Sequence, residues 1–343
     1  MDERKVVKCL VWDLDQTLWA GILLENESTA LKSGVLAVIQ ELDNRGILQS
    51  VASKNDYRSV MNKLIQLDID QYFLYPQIGW QPKSESIKTI AEMLNIHIES
   101  IAFIDDQVFE REEVAFTFPE VLCLGAEEIG NLLHLPEFHP ACITPDAKLR
   151  RKAYQDESRR KEDEKLFAGT KEEFLRTLQI RLSLSIATES DLHRVEELTI
   201  RTHQLNSTGQ TYSYHELKEM ISSENFMIYV AELEDIYGTY GKIALMIIEK
   251  KESIWTLKLI LTSCRVISRG VGTILLNFLL QMAQKARVGL MAEYLPTECN
   301  RMMYLTYKLA GFQECEKRDD VIILKHNLKK IPMFPSYMQV VER

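Results

Sequence analysis

The chain has no C-x-x-C pair among its six cysteines, Cys9, Cys123, Cys142, Cys264, Cys299 and Cys315. That spacing argues against a disulfide framework and against a zinc site, and it fits the reduced thiols of a cytosolic protein. No apolar run approaches the ~18 residues of a membrane span. Met1 to Lys5 lacks the apolar core of a signal peptide. The chain is therefore expected in the cytoplasm, and the Asn-x-Ser/Thr triplets at Asn26 and Asn206 mean little. Excess positive charge is also missing: 41 Lys and Arg against 50 Asp and Glu give a net charge of −9. An acidic chain is a poor nucleic-acid binder, so none is expected. With 46% hydrophobic and 27% charged residues the composition excludes global disorder and fibrous repeats. At 343 residues and ~150 residues per domain, two domains are expected.

The first section alternates strands and helices. Val6 to Trp12, Ile47 to Ala52 and Ile101 to Ile104 read as buried strands. Val35, Val38, Ile39 and Leu42 form one helical stripe, stopped by Gly46. Ile87, Ile90, Ala91 and Leu94 form a second, with Ser84 as N-cap. This order predicts an α/β fold with a parallel sheet, whose ligands bind beyond the carboxyl ends of the strands. Thirteen of the 18 residues from Lys148 to Lys165 are charged, which predicts a solvated linking helix and a domain boundary. Beyond it, Met227 to Leu233, Lys242 to Ile248, Ser253 to Leu261 and Leu290 to Tyr294 read as strands. Val271 to Ala286 and Cys299 to Ala310 read as helices, the second stopped by Gly311. The expected domains are 1–145, a charged linker 146–179, a second α/β domain 180–330 and a tail 331–343.

Four segments of the first section carry chemistry. Asp13 and Asp15 lie two apart at a strand end, so in extended backbone they share a face. Paired carboxylates suit phosphoryl transfer: one attacks phosphorus, the other protonates the leaving oxygen and later deprotonates water. Their repulsion calls for a cation, Mg²⁺. Ser53, Lys54 and Asn55 follow the second strand and offer donors to phosphate oxygens. Lys83 holds the same phosphate as a point charge. Asp105 and Asp106 end the third strand and complete the metal ligands.

In the second section Cys264 stands before Arg265 and a helix. A thiol beside an arginine and a helix N-terminus gains thiolate character and becomes a candidate nucleophile. On spacing alone an inert buried thiol is the simpler reading. The Arg269-Gly270-Val271-Gly272 loop before that helix also suits a pyrophosphate cradle, but Ile274 is expected to crowd a phosphate there.

Taken in order, the four segments resemble the motifs of the haloacid dehalogenase (HAD) phosphatase superfamily. By that resemblance Asp13 is the nucleophile, Asp15 the acid/base, and Asp13, Asp15, Asp105 and Asp106 hold the metal. Thr17, Ser53, Lys54, Asn55 and Lys83 hold phosphate. Asp13-Leu-Asp-Gln-Thr-Leu-Trp-Ala-Gly21 and Phe103-Ile-Asp-Asp-Gln107 with Glu110-Arg-Glu112 resemble the narrower FkbH-like group. Gln16, Ala20, Gln107 and Val108 depart from its usual residues. In that group a GNAT-like acyltransferase domain follows a Rossmann-like HAD domain. Ser263-Cys-Arg-Val-Ile-Ser-Arg-Gly-Val271, Arg201-Thr-His-Gln-Leu-Asn206 and Ala292-Glu-Tyr-Leu-Pro-Thr-Glu-Cys-Asn300 are similar to segments of that domain. The resemblance implies a bifunctional enzyme that moves the glyceryl group of 1,3-bisphosphoglycerate onto Cys264, removes phosphate with Mg²⁺, and loads an acyl carrier protein for polyketide-type, antibiotic-like products. His203 is a candidate base for Cys264, and Asn300 a candidate to orient a base or polarise a carbonyl. Arg265, Arg269, Arg287 and Arg301 are candidates for a local positive patch facing an acidic carrier. The alternative is a plain Mg²⁺ phosphatase with a non-catalytic second domain.

Overall fold

The computed structural model describes residues 6–25, 29–140 and 143–343. Asn26 and Cys142 lie outside them. The chain divides into two compact units, Met1–Gln155 and Asp156–Arg343.

The first unit is built on β1 (Cys9–Trp12), α1 (Val35–Asn44), β2 (Leu48–Ser53), α2 (Tyr57–Gln66), β3 (Gln77–Ile78), α3 (Lys83–Leu94), β4 (Ile101–Asp105), α4 (Val108–Thr117) and β5 (Leu122–Gly125). The strands form one sheet in the order β3-β2-β1-β4-β5, every pair parallel. β1 is buried on both faces because its four residues are all apolar or thiol. Leu10 and Trp12 pack with Val35, Val38, Ile39 and Leu42 of α1. Cys9 and Val11 pack with Ile87, Ile90, Ala91 and Leu94 of α3. The sequence steps from β1 outward to β3, then returns to β4 on the other side of β1. The switch point therefore lies between β1 and β4, where the carboxyl ends open a crevice. Ser84 does not cap α3: Pro82 holds the N-cap position, and Ser84 N donates instead to Glu113 Oε2 at 3.1 Å.

The short α5 (Pro145–Lys148) and the 17-residue α6 (Arg150–Leu166) span the charged run of the expected linker. It is not uniformly solvated. In the first unit Arg151 pairs with both oxygens of Asp43 at 2.9 and 3.1 Å. In the second unit Arg160 is 1% exposed, with Nε 2.6 Å and Nη2 2.8 Å from the Asp235 carboxylate and its guanidinium over Tyr240. Mixed charge along a helix hides such residues, because a fork-to-fork pair removes the penalty for burying an arginine.

The second unit continues with α7 (Lys171–Thr177), β6 (Ile180–Ile186), α8 (Leu192–Arg201), α9 (Tyr214–Ser222), β7 (Phe226–Asp235), β8 (Gly238–Lys251) and β9 (Ile254–Thr262). A 3₁₀ turn (Cys264–Arg269) leads to α10 (Val271–Ala286), β10 (Gly289–Tyr294), α11 (Arg301–Leu309), β11 (Gln313–Arg318), β12 (Val321–His326) and β13 (Met338–Glu342). Eight strands form one sheet, β11-β12-β10-β9-β8-β7-β6-β13. It is antiparallel except at β9/β10 and β6/β13. The stretch expected as a tail thus supplies an edge strand. α10 packs on one face of the sheet, α8 and α9 on the other. No helix among the described residues is long and apolar enough to cross a membrane.

Candidate active sites

The first site is assembled at the carboxyl ends of β1 and β4. Asp13 N donates to Ile104 O at 2.9 Å, so β1 and β4 stay paired up to the carboxylates they deliver. Oxygens of Asp13, Asp105 and Asp106 lie within 4.8 Å of one another. Lys83 opens α3 and reaches over the end of β2. Its Nζ donates to Asp13 Oδ1 at 2.5 Å, Asp105 Oδ2 at 3.0 Å and Ala52 O at 2.8 Å. Lys83, Asp13 and Asp105 are 3%, 6% and 1% exposed. Burial pushes the Asp13 carboxyl up to about 7; Lys83 pulls it down and Asp105 adds to the rise. Burial also raises Asp105, against the pull of Lys83. Burial by itself would lower Lys83, but the two carboxylates outweigh it and hold the ammonium above its ordinary value.

Three close carboxylates, two of them buried, exceed what one ammonium neutralises. Hard oxygen donors in that number fit Mg²⁺. The residues that would hold it are Asp13, Asp105 and Asp106, and the ion would supply positive charge to the phosphoryl oxygens.

Several expected ligands have other work. The chain turns at Gln16, φ 55°, and the Asp15 carboxylate is not grouped with those of Asp13, Asp105 and Asp106. Its Oδ1 accepts from Trp19 Nε1 at 2.7 Å and Leu23 N at 3.0 Å, and its Oδ2 from Asn55 Nδ2 at 2.9 Å. A carboxylate offers about four acceptor directions, so one remains for acid–base work. Asn55 therefore orients Asp15 through one of its two amide donors. Thr17 is fully buried and holds Asp106, whose N donates to Thr17 Oγ1 at 3.0 Å. Lys54 Nζ is 2.7 Å from Glu110 Oε1, so its charge is already answered. Ser53 is 4% exposed and accepts at its carbonyl from Gly79 N at 3.0 Å, which ties the β3 loop to the site. Arg111 donates to Asp105 O at 2.6 Å and Asp106 O at 3.0 Å. It holds the acidic pair through backbone, a role no side-chain pattern announces. No sequence pattern signals Trp80, Phe109 and Tyr57 either. They stand 70%, 72% and 52% exposed on the segments that follow β3, β4 and β2.

The second site lies where β9 and β10 part. Their parallel pairing ends at Leu257 and Ala292. The register of β8 against β9 skips Lys258, a bulge. The edge of β9 that β10 leaves open is filled by Leu205–Ser207. Thr262 N donates to Leu205 O and Ser207 N to Ile260 O, both at 3.0 Å, and Leu295 N donates to Ser207 O at 3.1 Å. The structure therefore gathers three segments the sequence singled out: 201–206, 263–271 and 292–300. Asn300 knots them. Its Oδ1 accepts from Tyr294 Oη at 3.0 Å and Thr297 N at 2.9 Å, and its Nδ2 donates to Asn206 O at 3.0 Å and Leu295 O at 2.9 Å. It is 0% exposed. With donors and acceptor committed, Asn300 is a strut. It neither orients a base nor polarises a carbonyl, and its side chain does not cap α11.

Cys264 is half-buried at the start of the 3₁₀ turn, and His203 is exposed. The turn separates Cys264 from α10, whose N-cap is Gly270 at φ 71°; the thiol does not sit on that helix's first turn. Arg269 is 1% exposed and faces Glu157 at 3.5 Å, so it cannot belong to a surface patch. Ile274 is 1% exposed and packs in the core. It does not crowd the α10 N-terminus as its position in sequence suggests.

No protein-family profile and no curated protein matches the chain. Among solved structures, the N-terminal part of protein BF1531 from Bacteroides fragilis, containing a phosphatase domain complexed with Mg, is 29% identical over 40% of this chain, with a TM-score of 0.34. This chain spans 42% of that structure's length. The ribosomal-protein-S18-alanine N-acetyltransferase from Escherichia coli is 19% identical over 42% of this chain and 92% of its own, with a TM-score of 0.34. Ard1 from Thermoplasma volcanium is 15% identical over 42% and 96%, with a TM-score of 0.34. The fold is assigned on the strand orders: a parallel α/β unit followed by a mixed α/β unit.

Proposed function

We propose that the chain joins a Mg²⁺-dependent phosphatase to a thiol that carries an acyl group. The first unit hydrolyses a phosphate ester. In the second, Cys264 takes the glyceryl group of 1,3-bisphosphoglycerate and passes it to the phosphopantetheine thiol of an acyl carrier protein, as a supply step for polyketide-type and antibiotic-like products. The observation that carries the reading is the meeting of Asp13, Asp105 and Asp106 within 4.8 Å around Lys83 at a parallel-sheet switch point.

In the first unit Asp13 attacks phosphorus, and Asp15, steadied by Trp19 and Asn55, protonates the leaving oxygen. Asp15 then takes a proton from the water that releases the phosphoaspartate. Lys83 opposes the rise that burial imposes on Asp13 and so favours its ionised, nucleophilic form. In the second unit the Cys264 thiolate attacks the acyl-phosphate carbonyl; the carbonyl–oxygen bond breaks, phosphate leaves and a thioester forms. The carrier thiol then displaces Cys264, and the enzyme's task is to position two sulfurs.

A phosphatase with a merely binding second unit is favoured by one observation, the saturated hydrogen bonds of Asn300. Intact mass after incubation with 1,3-bisphosphoglycerate separates the two readings. A glyceryl adduct on the native protein that is lost in Cys264→Ala supports the transferase. Phosphate release without an adduct supports the phosphatase alone. Inactivity in both assays with Mg²⁺ present overturns both.

A further inference from the structure

Helix α11 presents an unusual outer face. Met302, Leu305 and Leu309 are 51%, 42% and 82% exposed, and Arg301 and Lys308 beside them are also exposed. At 3.6 residues per turn these five positions fall within about 120° of arc. The face has an apolar ridge along one side and two cations along the other. The helix carries no acidic residue, in a chain of net charge −9. Its inner side is fixed by Met303 and Tyr307 in the core. Its flank adjoins the thiol turn. A methyl at Gly272, in the first turn of α10, would meet Thr306 Cγ2 at 3.6 Å and Thr262 Cγ2 at 3.9 Å. Thr262 lies two residues before Cys264, and Thr306 sits next to Met302 on the helical wheel. Ile267, in the thiol turn itself, is 48% exposed.

We propose that this face of α11 is a docking surface for an acidic amphipathic helix of the partner protein that brings the acceptor thiol to Cys264. The occupant follows from charge complementarity. A basic edge beside an apolar ridge matches a helix with carboxylates on one side and apolar residues on the other, and repels a basic one. The partner class rests on the function proposed above, while the surface does not.

Fluorescence anisotropy of a labelled, strongly acidic holo acyl carrier protein of the four-helix bacterial type tests the assignment. The native protein should bind it saturably, and more weakly as salt rises. Arg301→Glu with Lys308→Glu should weaken binding about tenfold or more and flatten the salt dependence. Leu305→Ser with Leu309→Ser should weaken it about fivefold or more and leave the salt dependence in place. All four side chains are exposed, so hydrolysis of 4-nitrophenyl phosphate and the thermal midpoint should match the native protein. Equal affinities in the three proteins, or no saturable binding by the native protein below about 1 mM, overturn the proposal. A concentration-dependent dimer abolished by the leucine pair would assign the face to a second copy of this chain and overturn it too. Face-dependent binding without a glyceryl adduct on Cys264 keeps the docking surface and sinks the transfer reading. Normal transfer through α11 variants does the reverse.

Discussion

Replacing Lys83 by Met tests the charge balance of the first site. Met keeps most of the side chain's length and removes its charge. The change deletes three contacts: 2.5 Å to Asp13, 3.0 Å to Asp105 and 2.8 Å to the Ala52 carbonyl. Two carboxylates, 6% and 1% exposed, are left facing each other. Breaking a buried pair in this way costs about 3–5 kcal/mol. Urea unfolding followed through Trp12 and Trp19, both in the first unit's core, measures that loss in EDTA. The pH trend has a definite sign. Asp13 is raised from 3.8 to about 7 in the folded protein. Between those values the unfolded chain holds fewer protons, so stability falls as pH rises through that window. Without Lys83 the fall should steepen and extend to higher pH. Mg²⁺ at 100 times its native Kd should add about 2.7 kcal/mol to the native protein and more to the variant, whose carboxylates then lack the ammonium between them. A loss in EDTA below about 1 kcal/mol, or an equal gain from Mg²⁺ in the two proteins, refutes the reasoning.

Asp13→Asn should keep the fold and abolish phosphate-ester hydrolysis; residual turnover above background would show that another group attacks phosphorus. Asn300→Ala strips partners from Tyr294, Thr297, Asn206 and Leu295 and should cost the second unit about 4 kcal/mol or more at roughly 1–3 kcal/mol for each orphaned buried group, with hydrolysis by the first unit unchanged. An intact second transition in urea would contradict it. His326 is 4% exposed and accepts at Nδ1 from Leu328 N at 2.9 Å. Burial lowers its pKa below 6.5, against a backbone hydrogen bond to Ala310 that pulls the other way. Its contribution is thus full above pH 6.5 and is lost as pH falls below that, through the folded value. The second unit's melting point should fall less between pH 7 and 5 in His326→Asn than in the native protein, and parallel slopes would count against this.

The parallel sheet was legible because the strands of the first unit are short apolar runs and the helices keep a 3.6-residue stripe. Asp13, Lys83, Asp105 and Asp106 were legible because each stands at a strand end or helix start. What the sequence hid was how their neighbours are shared out. Asp15 shares a face with Asp13 by spacing, yet only the fold shows its carboxylate held by Asn55 and Trp19. Lys54 stands in a segment that offers donors to phosphate, and only the fold shows Glu110 beside it. The charged helix hid a buried arginine, since a run of mixed charge gives no sign of which residue meets Asp235.

The second unit was harder for a physical reason. A thiol nucleophile, a base and an amide look the same in sequence whether they act or merely bond. Asn300 stood in the right segment for catalysis, and its segment does meet 201–206 at the β9 edge. But an amide has two donors and one oxygen acceptor, and four neighbours take them all. A group with no unused hydrogen-bonding capacity cannot strengthen a contact as charge develops in a transition state, so it cannot lower a barrier. The knot fixes where β9 and β10 part, and with them the turn that carries Cys264.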